Sequence, residues 1–568
     1  MKFNKIITSF FSIAAASLLV AACGSNEQTA IDETGKVDSS QELVFKIEAE
    51  EYQTVPTKGI TRATGQDTQP QEIDLGNGLV AELTIEPDTL EPAPQTRATI
   101  SDGHYRIYAV NSSNQRLTGP NQSIAGTVSG GVFTPDANKL MLLDHGTYTF
   151  VCINDAVTDN GTSLEVKKDA INAMIGTTTV AITQPRQEIS FTMRHMMARI
   201  RYQVTSYTSA PTNATFNMST DAGNFGAITF DIKGVKTSQA VTSYWIPSAP
   251  VKPTTTVENS AIVKTYKSTT DYLYFFDGFD TGYIQGGGIQ GNLYGKTFSI
   301  SPTSWFLNRT TVQRNHSYVF NFTIKSKTPL LLFQDGTVGY LGDKGTRTPI
   351  GVVAREKTAT QHGIAAGLDI IEKPTYPTYP WEDANVTGHG NIQLNTTVYN
   401  GLWDGQNDLN GYNWTWDANS TTDHVVRAEE QAKYPAFYMA GHYAPSVPVT
   451  GSNISKWYIP AMGEVILLFK RFGPVTIPNN EPWRGYFHMS NADMKKVINA
   501  FKDLNNNTNI NQRFLWTSTT SDAINMGGVG GPYAPASFLT NGNGVDGAWV
   551  PTFHKDGGNF YILPFVQF

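Results

Sequence analysis

Four tryptophans lie in stretches rich in glycine and asparagine, where their side chains could meet a ligand. Acidic and amide side chains accompany them, and the candidate positions are Trp403, Asp404, Asn407, Trp414, Trp416 and Trp549. An exposed indole stacks on a sugar ring or a peptide, while nearby carboxylates and amides fix the orientation of the ligand by hydrogen bonds. The pattern therefore predicts a binding platform. The alternative is that these indoles pack the interior of a loop-rich domain.

Catalytic chemistry is not predicted for this chain. Glu464 is the carboxylate that most resembles a catalytic group, but it falls in the first turn of a predicted helix within Trp457–Phe472. A carboxylate at that place complements the helix dipole. The sequence contains no HExxH motif, no phosphate-binding loop and no cluster with metal-ligand spacing. We therefore expect a protein that is not an enzyme and that has no cofactor, and no metal-ligating residues are predicted.

The start of the chain has the pattern of an export signal. Lys2 and Lys5 precede an apolar stretch that ends in Val20-Ala21-Ala22-Cys23. This ending resembles the lipobox of bacterial lipoproteins. The resemblance implies cleavage before Cys23, acylation of its thiol and anchoring of the acyl chains in a membrane. Residues 1–22 are thus predicted to be a lipoprotein signal peptide, with an ordinary secretory peptide as the alternative.

The composition agrees with an exported, β-rich protein. Charged residues make up only 16% of the chain and the net charge is −7, so no basic surface for nucleic acid is expected. Aromatic residues reach 11%, with Gly 50 and Pro 29, which favours short strands joined by many turns. The length of 568 residues predicts several domains.

Two arginines stand in polar, proline-flanked segments that a trypsin-like protease could reach. Arg62 and Arg97 each lie in a Thr-Arg-Ala sequence. Alternating strand patterns precede them, at Glu42–Glu50 and Leu79–Ile85. Residues 23–97 are therefore predicted to hold a flexible tether, two strand patterns and loops open to a protease. Arg97 is the first choice for cleavage because a regular strand starts soon after it, Arg62 is the competitor, and both could be ordinary loop residues.

Regular strand patterns continue over residues 98–187 and 188–326, with a short helix predicted at Leu164–Ile175. The spacing fits two consecutive β-sandwich domains. Within it, the strand Phe191–Val204 carries His195 and Ala198. His195 is interpreted as a packed strand histidine because no partner for metal binding or catalysis is near it in sequence.

The lipobox, the Thr-Arg-Ala sites, the Gly146–Ile153 strand and the His195-x-x-Ala198 pattern together resemble the fimbrillin family of Bacteroidetes pili. The resemblance covers roughly Glu42 to Lys327. It implies two transthyretin-like β-sandwiches and a lipoprotein precursor at the outer membrane. For residues 23–97 it implies a tether and pro-segment with a removable strand. An arginine-specific protease would remove this first strand, and a strand from another fimbrial subunit would fill the groove by donor-strand exchange.

Residues 327–568 form a separate predicted module. Its ordered motifs begin at Asp335 (DGT), Pro349 (PIGVV), Trp457 (WYIPAMGE) and Trp516 (WTST), and the last motif begins at Pro564 (PFV). This order resembles FISUMP-type and Lcl C-terminal domains, which are relatives of the C-type lectin-like fold. The resemblance implies two short helices on a small, irregular antiparallel sheet. Paired cysteines and the calcium-binding triplets of animal lectins are missing, so calcium-dependent sugar binding is not expected.

The predicted architecture is therefore mainly β: two transthyretin-like β-sandwich domains followed by an α+β C-type-lectin-like domain. The expected function is a minor or tip fimbrial subunit, an adhesin, whose module binds a glycan or a host or bacterial surface protein. The tip is favoured because Tyr561–Phe568 is expected to pair inside its own module instead of being donated onward. The alternative is a surface lipoprotein that binds glycan or host protein without joining a pilus. Either protein belongs at the outer membrane, and the first also in the extracellular fimbrium.

Overall fold

The structure is a computed structural model that describes residues 36–38, 43–55, 58–59, 71–86, 88, 100, 102–129, 132–137, 141–183, 187–220, 225–241, 255–258, 263–281, 284–300, 311–373, 379–383, 393–483, 485–504, 510–511, 513–521, 533–540, 547–550, 552–555 and 559–568. Strands make up 45% and helices 13%, which confirms the predicted mainly β fold class. Within these ranges, no helix is long and apolar enough to cross a membrane.

Seven strands close into a barrel in the first unit. In neighbour order they are Gly146–Asn154, Met174–Ile182, Glu188–His195, Val44–Ala49, Val132–Pro135, Ser123–Ser129 and Gly103–Val110, and the last pairs with the first. The sequence predicts a two-sheet sandwich here, and the structure differs because Val44–Ala49 lies between two strands that would otherwise be edges.

The helix predicted at Leu164–Ile175 is wrong. The chain forms a strand at Leu164–Lys167, turns, and enters the strand Met174–Ile182. Leu164 and Val166 are buried, and this strand pairs with Phe225–Phe230. Pairing with a distant strand therefore overrides the local pattern. The complete small sheet consists of Thr158–Asp159, Leu164–Lys167, Phe225–Phe230 and Lys236–Val241.

A nine-stranded sheet forms the centre of the second unit. Its strand Met197–Ser206 pairs in parallel with His316–Ser326 and antiparallel with Lys264–Thr269 and Leu273–Phe276. The other members are Gln53–Thr54, Lys58–Gly59, Gln71–Gly76, Leu79–Glu86 and Thr255–Glu258. A three-stranded sheet completes the unit with Thr212–Thr220, Ile284–Leu293 and Lys296–Ile300, and Lys36–Asp38 pairs separately with Leu142–Asp144.

The two units divide at Met196. A boundary between residues 187 and 188, as predicted, would assign Glu188–His195 to the second unit, but this strand pairs with Val44–Ala49 in the barrel. The chain bends at Met196, and Met197–Ser206 then enters the second sheet. The alternating pattern of Phe191–Val204 does not predict the bend at Met196, because the residues on both sides of it form strands.

The part of the chain predicted as the C-terminal module, from residue 327 on, combines two small sheets with short helices. One sheet contains Val338–Gly339, Leu331–Phe333, Pro349–Arg355, Ile364–Gly367 and Phe565–Gln567. The other contains Tyr486–His488, Gly547–Trp549, Tyr533–Thr540, Phe514–Trp516 and Thr552–His554, and a further pair joins Tyr379–Pro380 to Asn559–Phe560. The α-helices are Leu402–Gly405, Gly411–Trp416, Pro435–Gly441, Met462–Lys470 and Asn491–Leu504, with 3-10 turns at Leu341–Asp343, Ala418–Ser420 and Arg427–Glu429.

The helix predicted within Trp457–Phe472 is confirmed at Met462–Lys470, and a second helix lies at Asn491–Leu504. Met462, Val465 and Leu468 are buried on the helix Met462–Lys470. In the helix Asn491–Leu504, the backbone N–H of Asp493 donates to the hydroxyl of Ser490 over 3.1 Å, which caps the first turn.

The C-terminal module and the second unit share one continuous hydrophobic core. Ile200 and Phe322 of the second sheet belong to the same buried cluster as Ile350 and Phe568 of the module. At the polar margin, Arg471 donates to the carbonyl of Ser326 over 3.0 Å. The module is therefore packed directly on the second unit.

Candidate functional site

The leading segment, residues 43–59, crosses both units. Its strand Val44–Ala49 runs parallel to Glu188–Met193 in the barrel. Farther along, Gln53–Thr54 pairs with His316–Ser317, and Lys58–Gly59 pairs with Thr84–Ile85 in the second sheet. One short stretch near the start of the chain therefore supplies backbone pairing to both units.

The side chains of the leading segment alternate as a half-buried strand requires. Phe45 and Ile47 point into the barrel core, whereas Val44 is 57% exposed. The ring centroid of Phe45 lies 5.9 Å from that of Phe133 and 6.4 Å from that of Phe191, on strands to either side. The predicted strand at Glu42–Glu50 is thus confirmed, and its apolar face packs into the core of the barrel.

Asn315 ties the leading segment to the junction between the units. Its backbone has a φ of 57°, a left-handed conformation that asparagine tolerates better than most residues. Its carbonyl accepts a hydrogen bond from Gln53 N over 2.8 Å, and its Nδ2 donates to the carbonyl of Glu51 over 3.2 Å. Its Oδ1 accepts from the backbone N–H of His195 over 3.2 Å. Removing the leading segment would leave this buried amide with unmet hydrogen bonds.

Tyr52 is held between a histidine and an arginine at the same junction. Its ring stacks on His195 with centroids 4.1 Å apart, and the guanidinium carbon of Arg199 lies 4.2 Å from the Tyr52 centroid. Burial, and secondarily the charge of Arg199, lower the pKa of His195 to about 4. The imidazole is therefore neutral at neutral pH and acts as a packing surface, in agreement with the predicted packed histidine. We call His195, Arg199 and Asn315 the junction clamp.

Glu50 adds a charged contact beside the junction clamp. Its carboxylate lies 2.5 Å from Nε of Arg194. Burial of Glu50 opposes ionisation, but the hydrogen bonds from Arg194 and Gln53 outweigh it and lower the pKa of Glu50. Apolar, charged and aromatic contacts therefore follow one another along the leading segment and hold it in place.

A hairpin follows the leading segment and belongs entirely to the second unit. Its strands Gln71–Gly76 and Leu79–Glu86 pair with each other, and the second also pairs with Val319–Ser326. Leu79, Ala81, Leu83 and Ile85 are all buried. This hairpin lies between the two candidate cleavage arginines in the sequence.

Three predicted sites, Cys23, Arg62 and Arg97, lie outside the described residues. The structure nevertheless describes chain on both sides of each arginine. Gly59 precedes Arg62 and Gln71 follows it, while the buried Ile100 follows Arg97. Acylation and cleavage stay predictions.

The predicted ligand platform separates into an exposed and a buried part. Trp403 is 39% exposed on the helix Leu402–Gly405, and Asp404 and Asn407 are exposed beside it. Trp416 is half-buried, donates from Nε1 to the carbonyl of Trp457 over 2.7 Å, and carries Lys456 Nζ 4.0 Å from its ring centroid. Ligand binding by this surface stays a prediction.

Trp414 lies in the interior of the module. It is 3% exposed, and its Nε1 donates to Oδ1 of Asp408 over 2.9 Å. Asp408 also accepts from Thr519 Oγ1 over 2.7 Å, and Thr519 Oγ1 in turn accepts from the backbone N–H of Met462 over 2.8 Å. Burial raises the pKa of Asp408. Through Asp408, Trp414 thus links the helix Gly411–Trp416 to the Trp516–Thr519 motif and to the start of the helix Met462–Lys470.

Trp549 contributes backbone pairing through the strand Gly547–Trp549, which pairs with Tyr486–His488. The structure does not describe its side chain, so its place in the platform stays a prediction.

Glu464 has the capping role that the sequence predicts. Its Oε2 accepts from the backbone N–H of Ala461 over 2.8 Å and its Oε1 from the hydroxyl of Tyr458 over 3.0 Å. The side chain is fully buried, and burial raises its pKa to about 8. Within the described ranges, no group of three histidine, cysteine, aspartate or glutamate side chains is placed to hold a metal ion.

Replacing Trp414 with alanine is expected to lower the free energy of unfolding of the module by about 3 kcal/mol, because the change opens a cavity and removes a partner of buried Asp408. The matched control is Trp403→Ala, whose exposed ring should change stability by less than about 0.5 kcal/mol. Chemical denaturation followed by tryptophan fluorescence measures both. Equal losses for the two variants would contradict the assignment of Trp403 to the surface.

The residues of the junction clamp are not predicted as a site from sequence. Arg199 lies within the predicted strand Phe191–Val204, and Tyr52 follows the predicted strand Glu42–Glu50. The two residues are far apart in the sequence, so local patterns do not predict their contact. Asn315 has no distinctive sequence context. The one available signal was the apolar alternation before Tyr52, which identifies the leading segment but not its pocket.

No protein-family model matches the chain, and no curated protein matches it in sequence. Solved structures similar to it include a fimbrial protein from Bacteroides ovatus, with 13% identity, coverage of 93% of this chain and 100% of that chain, and a TM-score of 0.25. A candidate cell adhesion protein from the same species has 10% identity, coverage of 50% and 96%, and a TM-score of 0.29. A fimbrial assembly protein from Parabacteroides distasonis has 9% identity, coverage of 42% and 90%, and a TM-score of 0.20. These values describe distant likenesses.

Proposed function

We propose that this chain is a cell-surface fimbrial subunit that exchanges its leading segment for an extended segment of another subunit. One observation carries the proposal. The strand Val44–Ala49 closes the barrel between Glu188–His195 and Val132–Pro135. It comes before every other barrel strand in the chain, so a single backbone cut after it separates it from the rest.

Cleavage would change how strongly the leading segment is held. While attached, the segment is present at a high effective concentration beside its groove, and no external strand competes well. After a cut it becomes a peptide that dissociates. The vacated groove then presents unpaired backbone groups and apolar side chains, and an incoming strand supplies both kinds of contact.

The hairpin at residues 71–86 favours Arg62 over Arg97 as the productive cleavage site. A cut after Arg97 would release both hairpin strands together with the leading segment. It would strip the buried Leu79 and Leu83 from the second unit's core. One incoming strand cannot replace two paired strands and the leading segment, whereas after a cut at Arg62 it has one segment to replace.

The C-terminal module is the displayed part in this proposal, and Cys23 is the lipid anchor of the precursor. The strand Phe565–Gln567 pairs with Ile364–Ala366, and Phe568 is fully buried. This stretch is engaged in its own module and is not a free donor strand. Such an arrangement suits a minor or tip position, where a subunit accepts a strand and presents a binding surface.

Treating the full chain with an arginine-specific protease is expected to produce a new N-terminus at Ala63. Arg62→Ala should abolish that product, while the matched control Arg97→Ala should leave it unchanged. N-terminal sequencing of the cut protein reads the result. A mature N-terminus at Ala98 alone would contradict the choice of Arg62.

N-terminal sequencing of the protein isolated from the cell surface distinguishes a fimbrial subunit from a surface lipoprotein that is not part of a pilus. An N-terminus at Ala63 supports maturation for assembly. An acylated Cys23 at the start of the only surface form would overturn it and favour a surface lipoprotein that is not part of a pilus.

A further inference from the structure

The junction clamp holds Tyr52 without satisfying its hydroxyl. Tyr52 is 7% exposed, and its Oη has no hydrogen-bond partner among the described residues. Nδ1 of His195, on the ring stacked against it, is buried and equally without one. The favourable contacts of Tyr52 therefore come from the faces of its ring, while its buried hydroxyl makes no hydrogen bond with the described residues.

We infer that the junction clamp is a specificity pocket for a phenylalanine in the incoming segment. This inference rests on the proposed strand exchange. The stacking on His195, with ring planes 12° apart, and the cation–π contact with Arg199 at 4.2 Å both use the ring and not the hydroxyl. A phenylalanine keeps both contacts and buries no unpaired oxygen.

The leading segment also defines the spacing that the partner must have. Leu43, Phe45, Ile47 and Ala49 fill the groove at every second position, and Tyr52 follows three residues after the last of them. The change of spacing coincides with the passage from barrel to second sheet. An occupant is therefore an extended segment with four alternating apolar residues and then an aromatic ring at this offset.

Charge and backbone contacts add two further features of the partner. An acidic residue directly after the fourth apolar position would meet Arg194, as Glu50 does over 2.5 Å. The backbone on either side of the aromatic residue would bond to Asn315, as Glu51 and Gln53 do. The partner is thus a strand with an apolar, acidic and aromatic order.

The unpaired hydroxyl of Tyr52 favours replacement of the native segment over its rebinding. A segment that carries phenylalanine binds the same pocket more tightly than the chain's own segment. Once cleavage removes the advantage of covalent attachment, the incoming segment is therefore favoured over rebinding of the released one.

The test uses the full chain cut after Arg62 and labelled synthetic segments spanning residues 41–60. Exchange into the groove is measured by fluorescence anisotropy with the unlabelled native segment as competitor. Relative to the native sequence, a Tyr52→Phe segment is expected to bind about tenfold more tightly and a Tyr52→Ala segment about a hundredfold more weakly. A Val44→Ala segment, altered at an exposed position, is the matched control and should bind like the native one.

The outcomes separate this inference from the proposed function. If all segments bind but Tyr52→Phe gains nothing over the native sequence, the pocket assignment is overturned and strand exchange stands. If no segment binds to the cut chain, strand exchange itself fails and the pocket assignment falls with it. In a chain carrying Arg199→Gln, the preference for an aromatic over alanine should shrink, while a segment altered only at Val44 should still bind like the native one.

Discussion

Replacing Ile47 with aspartate is expected to lower the free energy of unfolding of the barrel by about 4 kcal/mol or more. Ile47 is 1% exposed and belongs to the cluster that fills the barrel. A carboxylate at this place would be buried without a partner, so the leading segment should leave the groove and the barrel should open. Urea denaturation measures the loss, and limited proteolysis should cut the variant faster than the parent chain.

Val44→Asp provides the control on the same strand. Val44 points outward, so its replacement should change the free energy of unfolding by less than about 0.5 kcal/mol. Similar losses for both variants would mean that the strand is not seated with alternate faces in and out. A stable Ile47→Asp chain with unchanged proteolysis would mean that the leading segment does not support the barrel.

Glu464→Gln is expected to remove a large part of the pH dependence of the module's stability. Burial raises the pKa of this carboxyl from 4.5 to about 8 in the folded state. Between those values the folded protein keeps a proton that the unfolded chain releases. The stabilisation is therefore complete below pH 4.5 and declines as the pH rises towards 8, with a total on the order of 5 kcal/mol.

Glutamine stays neutral over this range and offers an oxygen and an amide to Ala461 and Tyr458. The variant should match the parent near pH 4.5 and become more stable than it as the pH approaches 8. Unfolding curves in urea at a series of pH values measure the difference. Some decline should persist in the variant, because burial also raises the pKa of Asp408.

The control for Glu464→Gln is Glu430→Gln, at a carboxyl that is 40% exposed on the surface of the same module. The free energy of unfolding of this control, plotted against pH, should run parallel to that of the parent. A Glu464→Gln curve that also runs parallel to the parent would show that Glu464 is ionised in the folded state.

Local periodicity was sufficient to predict individual elements but not their neighbours. The alternation of Glu42–Glu50 predicts a strand, and the three- and four-residue spacing around Val465 predicts a helix, because both patterns are local. The place of Val44–Ala49 beside Glu188–His195 depends on residues far apart in the chain. Hence a sandwich was predicted where a closed barrel is found.

The tryptophans show why the candidate binding surface could be predicted only in part. Trp403 and Trp414 lie in similar glycine- and asparagine-rich surroundings, yet one is exposed and the other is buried. The difference comes from Asp408 and Thr519, whose hydrogen bonds draw the second indole inward. Composition indicates that a loop is rich in aromatic residues, whereas distant polar partners decide which rings reach the surface.

The shared core of the second unit and the C-terminal module determines how mechanical load would pass through the molecule. The strand His316–Ser326 lies between Met197–Ser206 and Leu79–Glu86, and it continues into Leu331–Phe333 of the module. In the proposed function, tension on a bound ligand would pass from the module into this strand, which is hydrogen-bonded to a neighbour on each side. The subunit proposed above would therefore transmit force without a flexible joint between the module and the second unit.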